Sequence, residues 1–193
     1  MNLIGNDCTA SFITRDLLKQ GFVNPFVWTR IMDETFIWLL NNYENIDFWN
    51  YKITKDNKIG DPKCFFYVSY DDVHKVKYGH HRFDAKCNVP TKVGMDVRYE
   101  KIWEYIADKY EKRLERMKED PIWVITSQFD NPDTIPKIVE IVKRKKYKAI
   151  LFSNLKFDLD ENVLLLGYEQ KEKPWPPFVM EGHHDKIKEF LNK

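Results

Sequence analysis

Cysteine is scarce in this sequence. The 193 residues contain three cysteines, Cys8, Cys64 and Cys87, and no two of them form a Cys-x-x-Cys pair. An odd number at wide spacing argues against a disulfide framework, and it does not match the ligand spacing of a structural zinc site. A chain of this length buries enough surface to fold without cross-links. We therefore expect a reducing environment and no structural metal.

Long apolar runs and an excess of one charge are also missing. The longest apolar-rich stretches, such as FIWLL, are far shorter than the roughly 20 residues that a membrane-spanning helix needs. Lysine and arginine number 31 and aspartate and glutamate 30, a balance that argues against a dedicated nucleic-acid binder. The start, MNLIGND, lacks the features of a signal peptide and of an N-myristoylation site. We expect a cytoplasmic protein with no transmembrane segment and no nucleic-acid partner.

Strand and helix patterns alternate along most of the chain. Short apolar segments predict buried strands at 1–4, 64–69, 73–78, 122–126, 149–152 and 163–166. Amphipathic spacing predicts helices over 9–19 with a cap at Gly21, from Asp33, over 96–118, from 134 to 146 and over 184–192. This alternation is typical of an α/β fold with a mostly parallel sheet and helices on both faces. We expect one domain over 1–193, with a loop-rich insertion around 41–62.

The segment after the first predicted strand, Gly5-Asn6-Asp7-Cys8, lies where α/β sheets bind ligands. A helix amino terminus lowers the pKa of a thiol, and its amides can hold an oxyanion. Gly5 would allow a tight turn and Asn6 could donate to that oxyanion, whereas Asp7 would raise the thiol pKa unless it points away. The alternative is that Cys8 is a small packed side chain.

A cysteine nucleophile needs a base, and histidine is the usual one. His80 and His81 form an adjacent pair at the end of a predicted strand, and Asp130, after the strand IWVIT, could orient an imidazole. The alternative is that the histidines lie in a solvated loop and that Asp130, with Asn131-Pro132-Asp133, caps the following helix.

Basic residues cluster on the long predicted helix. Spacings of three and four place Lys109, Arg113 and Arg116 on one side, where they could hold a phosphate or a carboxylate. The alternative is a solvated face balanced by Glu111 and Glu115.

Several short motifs carry a resemblance to known bacterial families. GNDCTASFITRDL followed by NPFVWTRI resembles families that have a Gly-x-x-Cys start and a Pro-Phe-x-Trp segment, described as papain-like cysteine peptidases or exopolysaccharide biosynthesis proteins. VKYGHH, KYEKRLERM, IWVIT and HHDKIKEFLN resemble later motifs of the same families, in the same order. The Gly-Asn-Cys theme is also similar to capsular polysaccharide acetyltransferases that bind coenzyme A, although Asp7 here stands between Asn6 and Cys8.

The resemblance implies roles for individual residues. Cys8 would be the nucleophile and His80 or His81 the base. Pro25, Phe26 and Trp28 would shape the site, and Arg113 and Arg116 would contact an anion.

The implied function is an acyl-type transferase of capsular or exopolysaccharide biosynthesis. Its donor would be of the coenzyme A thioester kind, and its acceptor a saccharide or glycan precursor. Two alternatives stay open. One is a papain-like cysteine hydrolase that acts as a peptidase or amidase. The other is a non-catalytic sugar- or nucleotide-binding accessory protein with an inert Cys8.

Overall fold

The computed structural model describes residues 1–26, 29–56, 63–82, 107–117, 119–127, 133–168 and 180–193, with the backbone alone at 55–56, 63–66 and 78–82. The strands are β1 Leu3–Gly5, β2 Thr29–Arg30, β3 Lys52–Asp56, β4 Lys63–Ser69, β5 Lys75–Arg82, β6 Ile122–Thr126, β7 Ala149–Phe152 and β8 Val163–Leu166. The helices are α1 Thr9–Phe12, α2 Asp33–Asn42, α3 at 107–114, α4 Thr134–Lys145 and α5 His184–Leu191. A π-helix, Ile13–Leu17, continues α1, and a 3-10 turn, Tyr43–Asn45, follows α2.

The described strands form two sheets. A parallel sheet has the order β1-β6-β7-β8, with Ile4 opposite Trp123 and Val124 opposite Ile150. An antiparallel sheet has the order β2-β5-β4-β3, and its centre is the hairpin formed by β4 and β5. The predicted α/β class with a parallel sheet is therefore confirmed, and the antiparallel sheet is a further element. Its strand β3 lies in the segment 41–62.

Alternate residues of the parallel strands belong to two hydrophobic clusters. Ile4, Trp123 and Ile125 pack with residues of α2 and α4, and Val68 and Val76 of the antiparallel sheet belong to this same cluster. The second cluster joins strand residues to α1, the π-helix and α5, through Leu3, Val124, Ile150, Ala10, Ile13, Ile187, Phe190 and Leu191. This alternation follows from the two-residue period of a strand. The parallel sheet therefore contributes one face to each core.

The predicted helix over 9–19 differs from the observed one. The α-helix ends at Phe12, and the turn then widens, because the amide of Leu18 donates to the carbonyl of Ile13 at 2.9 Å. The left-handed residue that reverses the chain is Lys19, with φ 54°, rather than the predicted cap Gly21. Of the predicted helix over 96–118, the part at 107–114 is helical, and 96–106 lies outside the described residues. Within the described ranges, no helix is both long and apolar enough to cross a bilayer.

Candidate functional site

The carboxyl ends of the four parallel strands bring four polar segments to one edge. Asn6-Asp7-Cys8 follows β1, Ser127 follows β6, Ser153-Asn154 follows β7 and Gly167-Tyr168 follows β8. The sheet pattern continues one residue further. The amide of Ser127 donates to Phe152 at 3.0 Å, and the amide of Ser153 donates to Leu166 at 2.9 Å. Ligands of α/β proteins bind at this edge, and we call these segments the carboxyl edge.

Asn6 ties β1 to β6. Its Nδ2 donates to the carbonyl of Thr126 at 2.9 Å, and its Oδ1 accepts from the amide of Thr126 at 3.0 Å. The side chain is 3% exposed. The amide that was predicted to donate to an oxyanion is therefore engaged in joining two strands.

Asp7 caps the start of α1. Its Oδ1 accepts from the amide of Thr9 at 2.8 Å, and its Oδ2 accepts from the hydroxyl of Thr126 at 2.6 Å. A carboxylate in this position is favourable, because the first helical amides are unpaired and carry partial positive charge. One amide predicted to serve the thiol thus serves Asp7 instead.

The thiol of Cys8 is less acidic than a free cysteine. Burial raises its pKa from 9.0 to about 12, the charge of Asp7 adds to the rise, and that of Arg30 opposes it. The Sγ donates to the carbonyl of Thr29 at 3.9 Å, a contact that needs the proton. The prediction of a lowered thiol pKa is therefore wrong, because burial and the charge of Asp7 raise it. The concern about Asp7 was justified.

Gly5 lies at the tightest point of this segment. A Cβ there would stand 3.0 Å from the Cβ of Ala10, 3.0 Å from the carbonyl oxygen of Asp7 and 3.1 Å from that of Val124. These distances are shorter than nine in ten real Cβ contacts, so glycine lets β1 approach α1 and β6 closely. This close approach within β1, rather than a turn, requires glycine at this position.

The backbone of strand β5, which carries the predicted bases His80 and His81, is connected to Cys8 through β2. β2 pairs with β5, with Thr29 opposite Tyr78, and the carbonyl of Thr29 contacts the thiol of Cys8. His80 lies two residues further along β5, about 7 Å of extended chain. His81 is opposite Cys64, after an irregularity in the register of β4 and β5.

Two of the three residues predicted to shape the site, Pro25 and Phe26, lie in the core. Pro25 is buried, and Phe26 is 2% exposed. The ring of Phe26 lies 5.8 Å from that of Phe48 and 6.2 Å from that of Tyr70. Phe26 therefore packs the first hydrophobic cluster, while Trp28 lies outside the described residues.

The predicted anion contacts lie on and after α3. The guanidinium of Arg113 lies 5.8 Å from the ring centroid of Phe22, a cation–π contact. Arg116 follows the end of the helix and is exposed. Asp130 lies outside the described residues.

A second polar group occupies the other side of the carboxyl edge. The hydroxyls of Ser127 and Tyr168 are 3.2 Å apart, and Asn154 bonds both backbone groups of Tyr168, at 2.8 and 3.0 Å. His183 Nε2 bonds the carbonyl of Gly167 at 2.5 Å. Because β7 separates β6 from β8, the Ser127–Tyr168 bond spans the end of β7. We call Ser127, Asn154, Tyr168 and His183 the Tyr168 cluster.

Part of this site can be predicted from the sequence. Ser127, Ser153 and Asn154 follow predicted strands, and the same rule applied to VLLL would have added Tyr168. The partnership of Thr126 with both Asn6 and Asp7 carries no local signal, because it joins residues about 120 positions apart.

The identity of the site has to come from its own residues. In the part of the chain that the structure describes, no group of three or more histidine, cysteine, aspartate or glutamate side chains is placed to hold a metal ion. Comparisons with protein-family models, with curated proteins and with solved structures found no match.

Proposed function

We propose that this protein binds a small hydrogen-bonding ligand, of the sugar or nucleotide class, at the carboxyl edge. The observation that carries the proposal is that the neighbouring parallel strands β6, β7 and β8 are followed at this edge by Ser127, Asn154 and Tyr168. Ser127 and Tyr168 are both partly exposed there, so their hydroxyls can reach a ligand. Binding sites commonly contain a few such placed polar groups.

The state of Cys8 supports binding without cysteine chemistry. A thiol with a pKa of about 12 is almost fully protonated at neutral pH, and the thiolate is the reactive form. Asn6 and Asp7 hold the strand and the helix together, so their side chains serve the scaffold. On this proposal Cys8 packs against β2, and the ligand is held by hydroxyl and amide groups.

Isothermal titration calorimetry with a panel of sugars, sugar phosphates and sugar nucleotides tests the proposal. We expect at least one member to bind saturably, and we expect Cys8→Ala to retain that binding. Asn154→Ala removes both contacts to the backbone of Tyr168 and should weaken binding. Lys137→Ala, on an exposed face of α4, is the control and should bind like the unmodified protein. Absence of saturable binding across the panel by the folded protein would overturn the proposal.

A second candidate is an acyl-type transferase of surface-polysaccharide assembly with Cys8 as nucleophile. Two observations favour it. Cys8 is only partly buried, and the strand that contains His80 and His81 pairs with β2, which contacts the thiol. Because the thiol pKa is about 12, a base has to remove the proton as Sγ bonds to the acyl carbon. The bond from the acyl carbon to coenzyme A breaks, and coenzyme A leaves as a thiol that takes up this proton. The saccharide hydroxyl then attacks the acyl group and releases Cys8.

Incubation with a coenzyme A thioester and a saccharide acceptor separates the catalytic possibilities. Transfer predicts acylated saccharide that is lost in Cys8→Ala, with His80→Gln and His81→Gln identifying the base. Acyl release to water without an acceptor would instead favour a hydrolase. Equal turnover by the protein and by Cys8→Ala would remove the cysteine mechanism.

A further inference from the structure

We propose that the carboxyl edge recognises an uncharged ligand that carries several hydroxyl groups, and that the Ser127–Tyr168 pair makes the recognising contacts. The inference rests on the proposed function and specifies the class of its ligand. It depends on three features: how Tyr168 is held, what the hydroxyl pair can still bond, and what occupies the start of α1.

Tyr168 is held from several directions although it lies beyond the end of a strand. Asn154 Nδ2 donates to the carbonyl of Tyr168 at 2.8 Å, and Asn154 Oδ1 accepts its amide at 3.0 Å. His183 Nε2 donates to the preceding carbonyl, that of Gly167, at 2.5 Å. Gly167 itself faces Asn154, whose Oδ1 would stand 3.3 Å from an added Cβ. A binding group fixed by its neighbours loses little entropy when a ligand binds.

The hydroxyl pair has bonding capacity to spare. Each hydroxyl supplies one donor and two acceptor lone pairs, and the bond between Ser127 and Tyr168 uses one donor and one acceptor. With respect to the described residues, one donor and further acceptors therefore stay available within the pair. A ligand hydroxyl is both donor and acceptor, so it matches this mixture. The aromatic ring of Tyr168 adds an apolar surface suited to the C–H groups of a sugar ring.

The start of α1 is unsuited to a phosphate. In nucleotide-binding α/β folds, a phosphate takes the helix amino terminus after the first strand. Here the carboxylate of Asp7 already accepts from the Thr9 amide and the Thr126 hydroxyl, at 2.8 and 2.6 Å. A phosphate there would be repelled by the carboxylate of Asp7, and the Thr9 amide would already be bonded. Arg30, on β2, is the cation whose charge acts on Cys8, and a phosphate bound there is the competing outcome.

Paired probes test the inference by calorimetry. The pairs are glucose with glucose 1-phosphate, and N-acetylglucosamine with its 1-phosphate. We expect the phosphorylated member of each pair to bind no more tightly than its neutral parent. Tyr168→Phe and Ser127→Ala should each weaken the neutral probe about five- to tenfold, the usual effect of losing one hydrogen bond to a ligand.

The controls separate this inference from the broader proposal. Tyr67→Phe makes the same chemical change on β4, in the antiparallel sheet rather than the parallel one, and should leave the affinity unchanged. Circular dichroism establishes that each variant is folded. If phosphates bind tenfold more tightly than their parents, the class of ligand is wrong while the proposed function stands. Unchanged affinity in Tyr168→Phe would overturn the recognition pair. Absence of binding by all four probes would overturn this inference, while the full panel of sugars, sugar phosphates and sugar nucleotides decides the proposed function.

Discussion

The carboxylate of Asp7 has opposite effects on the two groups beside it. It stabilises the start of α1 by accepting the amide of Thr9, and it raises the pKa of the neighbouring Cys8 thiol. Thr126 holds the carboxylate in place through its hydroxyl. Because the same group serves the helix and opposes the thiolate, the segment after β1 favours a protonated cysteine.

The raised pKa of Cys8 predicts slow alkylation of the native thiol at neutral pH. The native thiol should react with iodoacetamide far more slowly at pH 7.5 than the denatured chain does, because its pKa is about 12 rather than 9.0. Mass spectrometry of the tryptic peptide that contains Cys8 measures the rate separately from Cys64 and Cys87. Denatured protein is the control, and fast alkylation of the native protein at neutral pH would contradict the prediction.

The same shift predicts how stability depends on pH. A thiol whose pKa is higher in the folded state binds its proton more tightly there. Its contribution is therefore complete below pH 9 and is lost as the pH rises from 9.0 toward about 12. Urea unfolding in that range should show a smaller loss of the unfolding free energy in Cys8→Ala than in the unmodified protein. Equal losses in the two proteins would show that Cys8 does not cause the dependence.

Gly5 provides a prediction about packing at the same site. Gly5→Ala should lower the free energy of unfolding by about 1–3 kcal/mol, because the added methyl would overlap Ala10 and two carbonyl oxygens. Gly21→Ala is the matched control, since an added Cβ there meets no atom of the described structure within 4 Å. Urea denaturation measures both. A Gly5→Ala protein as stable as Gly21→Ala would show that β1 can move away from α1.

At the scale of elements, agreement between sequence and structure depends on where each strand or helix obtains its stability. β6 at Ile122–Thr126, β7 at Ala149–Phe152 and β8 at Val163–Leu166 have the predicted bounds. Each is a short, mainly apolar run bounded by polar residues, proline or glycine, so its own sequence marks both ends. α1 differs because a wide turn at Ile13–Leu17, held by contacts outside the α-helical pattern, replaces the predicted continuation.

For the candidate site, the sequence predicts the position but not the roles of the residues. Its position beyond β1 could be predicted, because strand ends are visible in the sequence. The roles of Asn6 and Asp7 could not, since both depend on Thr126, which only the folded sheet brings to them. Pairing of the two-residue strand β2 with β5 likewise needs the tertiary structure.

The end of α4 yields a prediction of increased stability. Lys146 has φ 55°, its amide bonds the carbonyl of Lys143, and the amide of Tyr147 bonds that of Val142. This is the Schellman pattern, in which glycine is the preferred residue. Lys146→Gly should raise the unfolding free energy by about 1 kcal/mol, because a left-handed conformation is strained for a residue with a Cβ.

Lys137→Gly is the control for this prediction. It makes the same substitution at an exposed position inside α4, where glycine costs about 1 kcal/mol relative to a good helix former. Thermal or urea unfolding of the two variants should therefore shift in opposite directions. A loss of stability in both would show that Lys146 contributes more through its side chain than its backbone costs.

At the scale of the whole molecule, the two sheets share one core. Val68 and Val76 of the hairpin belong to the same cluster as Ile4 and Trp123 of the parallel sheet. A second contact links the hairpin turn to α2, since the rings of His74 and Trp38 stack at 4.5 Å. Asp71 fixes the orientation of His74 through a 2.7 Å bond to its Nδ1. The hairpin therefore packs on the body that carries the candidate site.

This shared core predicts that both sheets unfold together. Val76 is fully buried, so Val76→Ala should cost about 2 kcal/mol, and native-state hydrogen exchange should show this loss in β4–β5 and β6–β7 amides alike. Val73→Ala is the matched control, because Val73 is 76% exposed and its loss should leave protection in both sheets unchanged. Faster exchange confined to β4 and β5 would instead show that the hairpin opens on its own. In that case the strand carrying His80 and His81 would separate from β2 without disturbing the parallel sheet or the Tyr168 cluster.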